Sequence, residues 1–327
     1  MILFLIVFLA LGYNFLNGFQ GSGSSVATII ASRAIAPRTA LAIAAAGVFL
    51  GPFLFGIAVA YTIGRDIVAV ETVNPAMIIA ALTSSIAWSL FTWYFGIPSS
   101  PSHALVGGLV GSVLASTGAE SASLQSAGMT KVLLSLFLSP FLGLMVGSLI
   151  MRLVLFLARD ASMKINQWFK HGQIFTAIGL ALSNGANDAP KGMGIMMLGL
   201  VSAGALASFE APLWIIATSA AAMSLGTVLG GWRIIRTLGG KFFRIRPVDS
   251  FCSQTAAASV ILSAALLGGP VSTTQVVSTT ILGVGAAERM NKVRWGATGS
   301  IFITWLVTIP ANIFLAWLVL QAIQGLT

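Results

Sequence analysis

The chain has 327 residues, of which 57% are hydrophobic and only 8% charged, and its mean hydropathy is +0.96. A soluble domain of this size carries about 25% charged residues, so the composition excludes a soluble protein and indicates an all-α, polytopic membrane protein. The net charge of +9 does not indicate a nucleic-acid partner, because the basic residues stand in short loops between apolar runs, as a topology signal does.

Ten apolar runs of about spanning length follow one another along the chain. The first five cover 1–32, 39–63, 74–95, 97–117 and 128–158, and the second five cover 172–201, 211–232, 250–268, 270–287 and 295–323. We therefore predict about ten spans, some of them broken or re-entrant. They form two five-segment halves, residues 1–158 and 172–327, joined by a cytoplasmic linker at 159–171.

Two local matches indicate that the halves arose by duplication. The string NGFQGSGSSVA at 17–27 aligns with NGANDAPKGMG at 184–194, and GIPSSPSH at 96–103 aligns with GGPVSTTQ at 268–275. The two matches have nearly the same separation in sequence. Each is weak alone, but together they favour duplication over chance.

The loop charges predict that the second half is inverted relative to the first. The loop after the first run holds Arg33 and Arg38, whereas its counterpart holds only Glu210. In the next loop the basic excess is instead in the second half, at 233–246. Basic loops mark the cytoplasm, so both termini are expected outside a plasma-membrane protein. An inverted-topology repeat is typical of secondary transporters.

Asp188 and Lys191 lie in one of the most apolar stretches of the chain, at 177–201. Such residues each cost about 2.5–3.5 kcal/mol at the centre of a membrane helix, so we interpret them as functional. The alternative is a purely structural ion pair at i, i+3, in which each residue serves only as the counter-ion of the other. The neighbouring Gly185, Pro190, Gly192 and Gly194 predict an interrupted helix with free backbone groups.

The corresponding Gly/Ser string of the first run has two interpretations. It is either a second unwound segment, with Ser22 and Ser24 as candidate anion ligands, or a seam of small residues where helices pack closely. The sequence leaves both open. Asn17 and Gln20 in this string supply further oxygen atoms for a cation, together with Asn187 and Asp188.

A Pro-led cluster of hydroxyl residues opens an apolar helix in each half, and the inverted repeat predicts that the two clusters face each other within the membrane. Helix N-termini carry free N–H groups and a positive dipole end, which suit an oxyanion; the simpler interpretation is an ordinary N-cap. No Ser–His–acid set, paired membrane carboxylates or metal motif is present, so we do not expect an enzyme. The candidate anion ligands of the two clusters are Ser100, Ser102, His103, Ser272, Thr273, Thr274 and Gln275.

Four strings resemble the motifs of the inorganic phosphate transporter (PiT) family: NGFQGSGSSVATIIASRAIAPR (17–38), GIPSSPSHALVGGLVG (96–111), SNGANDAPKGMGI (183–195) and GGPVSTTQVVSTTILGVG (268–285). The resemblance implies an inverted-repeat fold and import of inorganic phosphate by symport with Na⁺ or H⁺. It also implies that Lys191 and the two hydroxyl clusters bind the anion. Na⁺, if it is the coupling ion, is expected at Asp188 and Asn187, and no other cofactor is implied.

The chain departs from the family pattern in its first half, where Gln20-Gly21 replaces Asn-Asp, as in the sulfate permease members. A permease for sulfate or another oxyanion is therefore one alternative, and a gradient-independent anion channel is another. Pro101 and Gln275 replace a hydroxyl residue and a histidine of the family motifs. The expected partners are an oxyanion, a coupling cation, the lipid bilayer and, as an assembly to test, a second copy in a homodimer.

Overall fold

The computed structural model describes residues 1–117, 124–162, 164–240 and 242–326. Within them the regular structure is helical, which confirms the predicted all-α class. The α-helices of this described part are α1 (Ile2–Ala31), α2 (Pro37–Phe55), α3 (Ala58–Tyr61), α4 (Pro75–Tyr94), α5 (Pro101–Thr117), α6 (Ser126–Leu157), α7 (Ile165–Ser202), α8 (Leu213–Leu229), α9 (Trp232–Gly240), α10 (Pro247–Leu266), α11 (Thr273–Glu288) and α12 (Trp295–Leu326).

The length and composition of these helices are those of a polytopic membrane protein. Among the described residues, α1, α2, α4, α6 and residues 301–325 of α12 are each long and apolar enough to cross a membrane. Helices α8 and α9 make a sixth candidate span, bent by 68°. Helix α6 also exposes large apolar side chains such as Leu134 and Phe141, as a lipid-facing helix does. The total of ten spans stays a prediction.

The helices of the two halves pack on each other in matching pairs. The contact between α1 and α8 has its equivalent in the contact between α7 and α2. In the same way, the contact between α5 and α12 has its equivalent in the contact between α11 and α6. Within the halves, α4 lies on α5 as α10 lies on α11. Two equivalent halves would give this pattern, and the largest hydrophobic cluster takes side chains from both. Their inverted orientation relative to a membrane stays a prediction.

The predicted interruption at Gly185–Gly194 was wrong, because α7 is a continuous helix. Of the two interpretations left open for the first run, the structure shows the packing seam, since α1 is also continuous. The glycines of both helices instead allow close crossings: a Cβ on Gly18 would collide with the carbonyl of Met223, and one on Gly185 with that of Val48. Pro190 removes one N–H from α7, a loss that membrane helices tolerate. Helix α7 also begins within the predicted linker, at Ile165.

The chain does break at the two hydroxyl clusters, through the same turn in each half. Gly96 follows α4 with φ 65°, and Gly268 follows α10 with φ 69°. Left-handed backbone of this kind favours glycine as the residue that ends a helix, with proline close behind. Pro98 and Pro270 occupy that place. The turns deliver the chain to new helix starts at Pro101 and Thr273.

Candidate functional site

The two hydroxyl clusters meet inside the protein. The Ser102 hydroxyl donates a hydrogen bond to the carbonyl of Val271 over 3.3 Å, so the start of α5 lies against the segment before α11. The first N–H groups of a helix have no partner within it. Both positive helix ends are therefore present in one buried region, as the sequence predicted for an anion site.

The Asp188–Lys191 pair of α7 lies at this meeting point. Lys191 Nζ is 2.5 Å from Asp188 Oδ1, and the two side chains are 0% and 3% exposed. The same ammonium donates to Ser102 Oγ at 2.6 Å and to the Val271 carbonyl at 2.5 Å. The Thr273 hydroxyl donates to the other oxygen of Asp188 at 2.7 Å. We call Ser102, Asp188, Lys191, Val271 and Thr273 the central cluster.

Asn187 connects α7 to the segment before α11 through its side-chain amide. It donates to the carbonyl of Gly269 at 3.1 Å and accepts from the N–H of Val271 at 3.2 Å. Asn17 of α1 donates to the backbone carbonyl of Asp188 at 3.5 Å. The structure thus places two of the predicted cation ligands beside the central cluster. Their side-chain amides make hydrogen bonds to backbone groups there.

Two of the predicted hydroxyl ligands cap their own helices. Ser100 Oγ accepts from the N–H of His103 at 3.2 Å and lies 2.6 Å from His103 Nδ1. Ser272 Oγ accepts from the N–H of Gln275 at 3.4 Å. These contacts are those of the N-cap interpretation. Thr274 is buried in the first turn of α11.

His103 and Gln275 share a different environment from the central cluster. Both line a mostly apolar cavity of about 290 Å³ between α6, α11 and α12. The His103 ring also packs edge-on against Phe137. The structure therefore brings these two predicted residues together, in a cavity whose other lining residues are mostly apolar.

The remaining predicted residues of α1 bond to helix backbone. Ser22 Oγ donates to the Phe19 carbonyl at 2.8 Å and accepts from the N–H of Gly231 at 2.7 Å. Ser24 donates to the carbonyl of Gly21 at 2.8 Å, and Gln20 donates to that of Ser89 at 2.5 Å. The bonds to Gly231 and Ser89 hold α1 against its neighbours, as the packing-seam interpretation expects, whereas those to Phe19 and Gly21 lie within α1.

Sequence reasoning missed two buried polar residues of α1. The Tyr13 hydroxyl donates to the carbonyl of Pro101 at 3.2 Å and so supports the start of α5. Asn14 is fully buried, packs against Gly192, and has no hydrogen-bond partner for either amide atom among the described residues. The signal was available, since two adjacent polar residues interrupt an otherwise apolar run.

A second cavity of about 500 Å³ lies between α6 and α10. Its lining includes Gly269 and Val271, so it extends to the backbone that carries the central cluster. Although mostly apolar, the wall includes one cation and four hydroxyl groups, from Lys131, Ser135, Ser139, Ser259 and Ser263. Of the three cavities described, it is the one whose lining includes a residue of the central cluster.

Comparison with known proteins decides the family. Residues 17–316 match the model of the phosphate transporter family. The chain belongs to that family. It is 40% identical over 307 residues to the "Probable low-affinity inorganic phosphate transporter" of Rhizobium meliloti (strain 1021), with 94% of this chain and 92% of that protein covered. A protein of the same name from Bacillus subtilis (strain 168) is 39% identical over 312 residues, with 94% and 93% covered.

The fold of this chain is similar to that of a solved structure, "The sodium-dependent phosphate transporter". That chain and this one cover each other fully, with a TM-score of 0.91 and 24% identity. At this identity the likeness concerns the fold. The family consists of transporters and not enzymes, so both the resemblance and the transporter class inferred from the sequence are confirmed.

Proposed function

We propose that this member of the phosphate transporter family imports inorganic phosphate across the plasma membrane in symport with a cation, Na⁺ or H⁺. One observation carries the proposal: two buried helix starts meet at the Asp188–Lys191 pair. The names of the relatives from Rhizobium meliloti and Bacillus subtilis support phosphate as the anion.

The anion site of the proposal is the region in front of α5 and α11. Phosphate accepts hydrogen bonds from the first N–H groups of the two helices, whose dipoles favour negative charge. The Ser102 and Thr273 hydroxyls lie at this point, where they donate to the Val271 carbonyl and to Asp188. In the proposal each hydroxyl turns from that acceptor to donate to phosphate. No buried arginine is required, and a coupling cation offsets the charge of the anion in the low-dielectric interior.

The access route of the proposal is the 500 Å³ cavity between α6 and α10. Lys131 donates to the Thr62 hydroxyl at 3.2 Å near its edge, where a positive charge attracts an anion. The predicted topology puts this lysine on the external side. Phosphate would then approach Val271 from outside, which is the direction of import.

The test is uptake of labelled phosphate by proteoliposomes under an inward Na⁺ or H⁺ gradient. We expect wild-type uptake to require the gradient and Asp188→Asn to reduce it by about tenfold or more, since coupling energies are about 1–3 kcal/mol. Asp249→Asn is the matched control. Asp249 is equally buried but pairs with Arg246 and Lys292, away from the central cluster, so its uptake should persist.

Gradient-dependent uptake by Asp188→Asn at the wild-type rate would remove Asp188 from the mechanism. The same vesicles test the alternatives. Competition by excess sulfate stronger than by excess phosphate would favour a sulfate permease, which the non-acidic Gly21 position motivates. Large unitary currents would favour a channel.

A further inference from the structure

We propose that the ammonium of Lys191 is a built-in counter-ion that fills the oxygen cage at Asp188, so that Na⁺ does not bind there in this chain. The inference deepens the proposed function, because it concerns the cation partner of the same site. It also disagrees with the expectation that Na⁺ binds at Asp188 and Asn187.

Each N–H donor of the Lys191 ammonium has one protein oxygen as its acceptor. A lysine ammonium has three N–H donors and no acceptor. Lys191 Nζ lies 2.5 Å from Asp188 Oδ1, 2.6 Å from Ser102 Oγ and 2.5 Å from the Val271 carbonyl. All three donors are therefore used on protein oxygens. In this arrangement the ammonium has no donor left for an anion.

The three oxygens form the kind of cage that a small cation would otherwise take. They comprise a carboxylate, a hydroxyl and a backbone carbonyl, from three separate segments of the chain. Hard cations are bound by oxygen ligands of these types. Because the cage already holds a full positive charge, a Na⁺ ion in contact with it would meet strong repulsion at low dielectric.

The other oxygens expected for Na⁺ are also engaged. Asp188 Oδ2 accepts from Thr273, and Asn187 Oδ1 accepts from the N–H of Val271. A Na⁺ ion at Asp188 would have to displace Lys191, whose ammonium contacts all three oxygens of the cage. Of the two coupling ions that the proposed function allows, a Na⁺ ion at this carboxylate is excluded and the proton remains.

Removing the lysine should turn the cage into a Na⁺ site. Lys191→Ala leaves a buried carboxylate without its counter-ion, which is strongly unfavourable, and removes the ammonium from the Ser102 and Val271 oxygens. A cation small enough to enter the vacated space would restore neutrality. The variant should therefore acquire a Na⁺ dependence that the wild-type chain lacks.

The experiment compares the Tm of the purified full chain in NaCl and in choline chloride at equal ionic strength. We expect the same Tm in both salts for the wild type. For Lys191→Ala, NaCl should raise the Tm by about 2 °C or more over choline chloride. Methylammonium chloride, which can replace the lost ammonium, should do the same. The double variant Asp188→Asn/Lys191→Ala should lose both responses.

The control is Lys170→Ala, which removes an exposed lysine of α7 outside the cage and should respond to the two salts as the wild type does. A Na⁺-specific rise in wild-type Tm that Asp188→Asn abolishes would overturn the proposal. So would a folded Lys191→Ala protein with equal Tm in the two salts.

A wild-type arm keeps the proposal testable if Lys191→Ala does not fold. With a fixed proton gradient, replacing Na⁺ by choline should leave wild-type phosphate uptake unchanged, and loss of uptake would overturn the proposal. The Tm measurements do not depend on transport. A failure of phosphate uptake as such would therefore reject the proposed function while leaving the cage to be judged from Tm.

Discussion

The carboxylate of Asp188 is buried, yet each of its oxygens accepts a hydrogen bond and one of them contacts the Lys191 ammonium. Burying two charges carries a desolvation cost that only good geometry and further hydrogen bonds offset. The central cluster supplies those bonds from α5, from the segment before α11 and from the first residue of α11. Loss of either charged partner should therefore affect both the stability and the function of this region.

Gly21 is the first-half equivalent of Asp188, and its surroundings leave room for a side chain. It is buried, and a Cβ added there would meet nothing within 4 Å. Ser24 stands where the second half has Lys191. A carboxylate at position 21 would thus be buried without a built-in counter-ion.

We predict that Gly21→Asp gives phosphate uptake a dependence on external Na⁺ while changing the preference for phosphate over sulfate little. The reason is that an unpaired buried carboxylate requires a cation. The measurement is proteoliposome uptake with Na⁺ replaced by choline, and Gly21→Asn is the neutral control of the same size. Unchanged cation dependence in Gly21→Asp would count against this account.

For single residues, the sequence identified the buried charged side chains of the candidate site more directly than the buried neutral ones. The cost of charge in an apolar run pointed directly to Asp188 and Lys191. The side chain of Asn187 makes hydrogen bonds to the backbone of Gly269 and Val271, in a segment more than 80 residues away along the chain. No local pattern reveals such a partner, and Asn14 was missed although its polarity in an apolar run was visible.

The glycine-rich segments of α1 and α7 suggest interrupted helices, but these glycines instead lie where two helices cross closely. The same composition serves both purposes, since glycine permits unusual backbone and also close approach of two helices. In α1 and α7 the second use prevails. The turns at Gly96 and Gly268 show the first use, where proline follows and the chain stops being helical.

The crossing of α1 and α8 offers a test of this packing role. A Cβ on Gly226 would collide with the carbonyl of Phe15, whereas one on Gly179 in α7 would meet nothing within 4 Å. We predict that Gly226→Ala lowers the free energy of unfolding by about 1–3 kcal/mol, the usual cost of overpacking.

Thermal unfolding of the purified variants measures the effect, with Gly179→Ala as the matched control in an equally helical setting. Gly226→Ala should have a lower Tm than the wild type, while Gly179→Ala should not. Equal Tm values for the two variants would show that the crossing can relax, and that the glycine is not needed there.

The whole molecule is organised by matching contacts between its two halves. Each helix of the first half that packs across the molecule has an equivalent partner in the second, such as α1 with α8 and α2 with α7. Five segments per half together with the loop charges predict that the halves are inverted. That prediction rests on the sequence, and the matched contacts support the equivalence of the two halves.

The contacts between residues far apart in the chain are the part of the structure that the sequence predicted least completely. The two Pro-led turns were predicted because their Gly, Pro and hydroxyl residues act locally. Their meeting was inferred from the internal repeat. What the sequence could not supply was the partner of each group: the Tyr13 hydroxyl on Pro101 and the Lys191 ammonium on Val271 join residues that are far apart in the chain.

The central claim is that the buried meeting of α5 and α11 at Asp188 and Lys191 binds the transported anion. The most direct test is the Tm of the purified protein in phosphate, sulfate, arsenate and chloride at equal ionic strength. We predict the largest rise in Tm with phosphate, and its loss in the double variant Ser102→Ala/Thr273→Val. No anion-specific rise in the wild type, or an undiminished phosphate response in the double variant, would contradict the claim.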